Sequence, residues 1–162
     1  MTLRGVDRGV FLAAAALLAV SVAAPFLALA GGDAGRLALA AVEGLCHQIP
    51  ARSFHVLGHA MALCARCTGV YAGLAVTWWI LRRVEEPWEW RRSFAPGAAL
   101  VAVALLALMA AEWTLAQRAP HLSTNPTRFL SGLAFGAGWI LGPHRWLLAA
   151  AFRVRTLLRL PA

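Results

Sequence analysis

The chain predicts an all-α integral membrane protein with about four transmembrane helices plus an outer interfacial helix. Three observations carry this. Of its 162 residues, 60% are hydrophobic and only 14% charged, against roughly 25% charged in soluble domains. Its apolar residues fall into stretches near the roughly 20 residues a helix needs to cross a bilayer. Its arginines concentrate in alternate connections between those stretches.

The spans read as about 9–30, 62–81, 96–116 and 129–143, the last running on toward Phe152. They form one membrane domain, 1–162, with no repeat or linker. Between the first two, an interfacial helix is expected from Asp33, as its cap, to Leu45, because Leu37, Ala40, Ala41 and Leu45 recur at helical spacing. All 15 basic residues are arginine, which with the abundant alanine suggests a high-GC bacterial genome. Ten of them (Arg4, Arg8, Arg82, Arg83, Arg91, Arg92, Arg145, Arg153, Arg155, Arg159) fall on one side of the expected topology. Five (Arg36, Arg52, Arg66, Arg118, Arg128) fall on the other. The positive-inside rule then makes the protein multi-pass in a bacterial cell (inner) membrane with both termini cytoplasmic. A second reading of the first span is a secretory signal ending at Ala28-Leu29-Ala30; in both readings residues 31–61 lie outside. The net charge of +8 flanks apolar spans instead of forming a basic face, so the expected partner is the lipid bilayer and not nucleic acid.

Against this apolar background, three polar stretches stand out. Residues 46–54 read Cys-His-Gln-Ile-Pro-Ala-Arg-Ser-Phe, residues 64–69 Cys-Ala-Arg-Cys-Thr-Gly, and residues 123–128 Ser-Thr-Asn-Pro-Thr-Arg. The topology puts all three on the outer side. Cys64 and Cys67 make a CxxC at a helix start, where the N-terminus and Arg66 favour thiolate. With Cys46 and His47 they could supply three thiolates and an imidazole, the count of a tetrahedral zinc site. His55 and His59, at i and i+4, are alternative ligands. The same thiols could instead act in thiol–disulfide redox chemistry, or form a structural disulfide with one thiol spare.

Arg66, Gly69 and Gly73 share one helical stripe, and Arg128, Gly132 and Gly136 another. If these GxxxG faces pack, they bring Arg66 and Arg128 together; such faces also suit a helix–helix oligomer. Two guanidinium groups at a membrane edge need an anion, supplied by Glu112, Glu43 or a ligand. Arg52, Arg66 and Arg128 are thus candidate anion-binding residues, with Glu112, Ser123, Thr124, Asn125 and Thr68 in support. Asn125 followed by Pro126 also has the form of a helix start, with Asn125 as the cap.

The chain resembles a family of small, uncharacterised polytopic membrane proteins of bacteria and archaea, a domain of unknown function. The resemblance rests on Cys46, His47, Pro50, Arg52, Ser53 and Phe54; on Cys64, Arg66, Cys67, Thr68, Gly69, Tyr71 and Gly73; and on Ser123, Thr124, Asn125, Arg128 and Gly132. Ser131 stands where the pattern would have threonine. The resemblance implies a multi-span membrane protein and no particular reaction.

The expected function is an extracytoplasmic-facing Cys/His/Arg site that binds a transition metal such as zinc or performs thiol redox chemistry. The alternatives are an enzyme or binder for an anionic lipid headgroup, and a small transporter or assembly subunit. Whether the protein is an enzyme, and which residues would be catalytic, is left open by the residues themselves.

Overall fold

A computed structural model of the chain describes residues 3–31, 33–84 and 96–158. It is mostly helical. Helix α1 runs Leu3–Leu29, α2 Ala34–Ala40, α3 Ala65–Val84, α4 Pro96–Arg118, α5 Asn125–Trp139 and α6 Arg145–Leu157. Arg91, Arg92 and Arg159, three of the arginines used to orient the chain, lie outside the described residues.

Among the described residues, two helices are long and apolar enough to cross a membrane: the 23 residues Asp7–Leu29 and the 22 residues Gly97–Arg118. Helix α4 is the barest. Leu100, Val103, Leu108 and Trp113 lie open on its surface, as suits a helix whose solvent is lipid. The expected spans at 62–81 and 129–143 fall on α3 and on α5 with its extension, which are not long and apolar enough to meet the same measure. Both carry glycine, serine or threonine along the faces they bury, which lowers their apolar content.

An all-α architecture is corrected by a two-stranded antiparallel hairpin, β1 (Ser53–Val56) and β2 (His59–Cys64). Its two-residue turn, Leu57-Gly58, has φ of 51° and 82°, the left-handed pair that matches hairpin twist. The pairing passes from Val56↔His59 and His55↔Ala60 to Ser53↔Cys64, so β2 bulges by two residues. The bulged segment faces inward: Met61, Ala62 and Leu63 are buried, and the Leu63 N–H donates to Ser21 Oγ of α1 at 3.0 Å. Residues 62–64 are therefore strand, and α3 begins only at Ala65.

The interfacial helix is shorter than expected. Asp33 precedes α2 but its side chain makes no capping hydrogen bond; it pairs instead with Arg36 at 3.6 Å in solvent. Turns continue from Ala41 to Leu45. Val42 and Ala38 pack with Ala24, Ala62, Leu63 and Cys46 in one apolar cluster.

Helix α3 lies between α1 and α5, and α5 also packs on α4. The α3–α5 contact is the tightest in the fold. A Cβ placed on Gly69, Gly73, Gly132 or Gly136 would meet a backbone oxygen of the facing helix at 2.1–2.2 Å, so only glycine permits this approach. The two helices are parallel, with Gly132 against Arg66 and Gly136 against Val70. Their first turns therefore share one end of the molecule. After α5 the helix widens into a π turn at Ile140–His144, containing Gly142 and Pro143. Proline has no N–H to continue the ladder, and a π bulge there accommodates the lost bond.

Candidate functional site

Two chain stretches converge where α3 begins. Cys64 ends β2, Cys67 lies in the first turn of α3, and Cys46 follows the turns after α2. All three are free thiols, and their sulfurs lie within 4.8 Å of one another. Local structure explains the convergence. The Cys64 N–H donates to Cys46 Sγ at 3.2 Å. Thr68 Oγ1 donates to the Cys64 carbonyl at 3.1 Å, satisfying an acceptor at the strand-to-helix junction. Gln48, with φ of 49°, turns the chain just beyond Cys46, and its amide reaches back to the Leu39 carbonyl.

Cys46 is 6% exposed and is walled by the apolar cluster around Ala24, Val42 and Leu63. Its pKa is nevertheless held well below the ordinary thiol range. Hydrogen bonds from the Cys64 and Cys67 side chains are the main cause, backbone N–H groups of Cys64 and Gln48 add to it, and together they outweigh burial. The cluster thus prefers one thiolate held by its two neighbours. No histidine joins this group among the described residues. His47 and His55 are exposed and His59 is half-buried.

Beside the thiols lies a polar network built by α3, α4 and α5. Glu112 of α4 receives the Arg66 guanidinium through Nε at 3.1 Å and through Nη2. The Ser123 hydroxyl also donates to it, and Ser131 Oγ does so at 3.3 Å. Arg128 donates to Ser123 Oγ at 3.0 Å and Asn125 Oδ1 at 3.2 Å. Asn125 Nδ2 donates to the Ser53 carbonyl at 3.0 Å, and Ser53 is the register partner of Cys64. This chain of bonds ties the arginine end to the thiol end. The carboxylate between Arg66 and Arg128 is therefore Glu112, while Glu43 is exposed on the surface. Arg52 ends the short 3-10 turn Pro50–Arg52 and is exposed, yet Arg128 feels its charge along with those of Glu112, Arg66 and Cys64.

The cap of α5 differs from expectation. Thr124, not Asn125, is the N-cap, its side chain accepting from the Thr127 N–H. That frees Asn125 to bridge Arg128 and Ser53. Ser53 and Ser131, which complete the network, carried no signal beyond their place in the motifs.

At the opposite end is a second polar cluster that the sequence motifs did not reveal. Asp7 of α1 is 2% exposed. It accepts from Trp78 Nε1 at 2.9 Å, pairs with Arg82, and lies 3.1 Å from His144 Nε2. Trp78 is turned onto Asp7 and stacks on Phe11 at 4.4 Å. Arg82, read as a topology arginine, is the main ion-pair partner. The available signal was an acidic residue at the start of an apolar helix, which in a membrane protein seldom goes unpartnered. Asp7→Ala would remove the buried carboxylate on which Arg82, Trp78 and His144 converge. It is expected to cost about 3–5 kcal/mol, read as a lowered unfolding midpoint in detergent, with the loss shared by Arg82→Ala in a double-mutant cycle.

The chain belongs to the family described as "Predicted membrane protein (DUF2085)", whose match covers residues 46–141. That stretch holds every side chain of the thiol–arginine end and excludes Asp7 and His144. An uncharacterized protein of Methanocaldococcus jannaschii is 35% identical over 92 residues, 57% of this chain and 56% of the relative. One from Methanothermobacter thermautotrophicus is 32% identical over 99 residues, 58% of this chain and 79% of the relative. The chain thus spans about half the length of the first and most of the second. No solved structure matches.

Proposed function

We propose that Cys46, Cys64 and Cys67 form a metal-binding site at the extracytoplasmic end of this membrane protein, with Arg52, Arg66 and Arg128 setting its charge. The observation that carries this is the closure of three free thiols, from two stretches of chain far apart in sequence, within 4.8 Å. Sulfurs bound about 2.3 Å from a common ion sit roughly 3.8–4.0 Å apart, so little movement is needed. The apolar wall around Cys46 excludes water, which strengthens the bonds to a thiophilic ion. In this reading both termini are cytoplasmic and the thiol end meets the outer surface, while His47 stays on the surface outside the ligand set.

Thiol–disulfide exchange is the second reading, favoured by the closeness of the three free thiols, of which Cys64 and Cys67 are the more accessible. Elemental analysis of the purified protein, with thiols counted before and after reduction, separates the two. Metal binding predicts about one transition-metal ion per chain and three thiols that react only after chelation. A metal-free protein whose thiol count rises on reduction would overturn the metal reading and support the redox one.

A further inference from the structure

Resting on the metal reading above, we infer that the ion this site is built for is a soft monovalent cation, Cu(I) being the representative, held by three thiolates alone. Coordination number is the first argument. Three sulfurs close on one another, and among the described residues no histidine or carboxylate joins them. Structural zinc takes four protein ligands. Thiolate sulfur suits Cu(I) and zinc alike, but three thiolates satisfy Cu(I) without a fourth donor.

Charge is the second argument. Three thiolates around a monovalent ion carry two negative charges; around a divalent ion they carry one. Arg66 is committed to Glu112, so that pair is neutral. Arg128 donates to the uncharged Ser123 and Asn125. Among the described residues, neither Arg128 nor Arg52 has a carboxylate within ion-pair distance. Two positive charges are thus left over at this end, matching the dianionic complex. The hydrogen bonds from Arg128 to Asn125 to the Ser53 carbonyl, and the pairing of Ser53 with Cys64, link Arg128 to the thiol end, where it feels the charges of Cys64 and Arg52. The apolar cluster behind Cys46 weakens screening on the sulfur side, so half-buried Arg128 counts for more than Arg52, which stands in solvent. Binding leaves copper as Cu(I). The protons still held by the thiols go to solvent as the three sulfur–metal bonds form.

At a given pH the Cu(I) and Zn(II) complexes differ by one unit of charge, so the arginines favour the monovalent one. The test compares Cu(I) and Zn(II) affinities of the full chain in detergent, by competition with chromophoric chelators under anaerobic conditions. The variants are Arg52→Gln/Arg128→Gln, Arg52→Lys/Arg128→Lys, and serine at all three cysteines. The preference for Cu(I) over Zn(II) is expected to fall at least roughly tenfold in the glutamine variant and to return in the lysine variant. An unchanged preference in the glutamine variant, or Zn(II) held with an exogenous anion as tightly as Cu(I), overturns the monovalent assignment while the metal site stands. Binding of neither ion, or binding that survives the triple serine variant, overturns the site itself.

Discussion

Cys46→Ser is expected to weaken metal binding by at least about a hundredfold, more than about 2.7 kcal/mol, with little effect on the fold. Cys46 is the buried member of the cluster and the one whose thiolate the other two thiols stabilise. A serine hydroxyl does not ionise near neutral pH and is a poor ligand for a soft ion. It can still accept the Cys64 N–H that the Cys46 sulfur now receives at 3.2 Å, so the strand end keeps its partner. Chelator competition reads the affinity, and the unfolding midpoint of the metal-free variant reads the fold. A variant that unfolds without losing affinity would show that Cys46 is a packing residue.

Gly132→Val is expected to cost about 3 kcal/mol or more of stability and to damage the site indirectly. The new Cβ would lie 2.2 Å from the Arg66 carbonyl oxygen, a contact no rotamer relieves because the obstacle is backbone. The helices can only separate. Separation moves Arg66 away from the Glu112 carboxylate of α4 and from the turn that carries Ser123, Asn125 and Arg128. Gly9→Ala is the control: it also lies inside a helix, but its added Cβ meets nothing within 4 Å. It should be neutral or stabilising by up to about 1 kcal/mol. Unfolding in detergent, tracked by helical signal, separates the two outcomes.

The parallel glycine contact was legible in the sequence because it depends on spacing alone: Arg66, Gly69 and Gly73 repeat as Arg128, Gly132 and Gly136, and helical geometry puts each trio on one face. The meeting of Glu112 with Arg66 came from charge need, although Glu43 competed for the role until the turns after α2 left it in solvent. The hairpin was hidden for physical reasons. Its turn, Leu57-Gly58, lacks the Asn-Gly or Asp-Gly signature, and the bulge at 61–63 breaks the alternation that marks a strand. The apolar bulge residues then merged with the helix after them. His47 illustrates another limit: adjacency to Cys46 suggested a shared ion, but neighbouring residues on an extended segment point apart, and here the imidazole is exposed while the thiol is buried. The cap of α5 moved by one residue because Thr124 can serve as well as Asn125, and the network uses Asn125 elsewhere.

The Asp7 cluster was illegible for a different reason. Its members come from positions 7, 78, 82 and 144, and none of them sits in a motif. Each alone has an ordinary reading as a helix-end charge or a belt aromatic. Only the antiparallel packing of α1 on α3, with the π turn delivering His144, turns them into one buried ion-pair network. Helix α3 thus carries a charged cluster at each end, about 24 Å apart along its axis, one tied to α4 and α5 and the other to α1 and the π turn.

Whether three thiolates hold one metal ion is decided by X-ray absorption at the metal edge of the loaded protein. The expected first shell is three sulfurs at about 2.3 Å, lost when any one of Cys46, Cys64 or Cys67 is replaced by serine. A first shell of nitrogen and oxygen, or one indifferent to those replacements, would contradict the three-thiolate site.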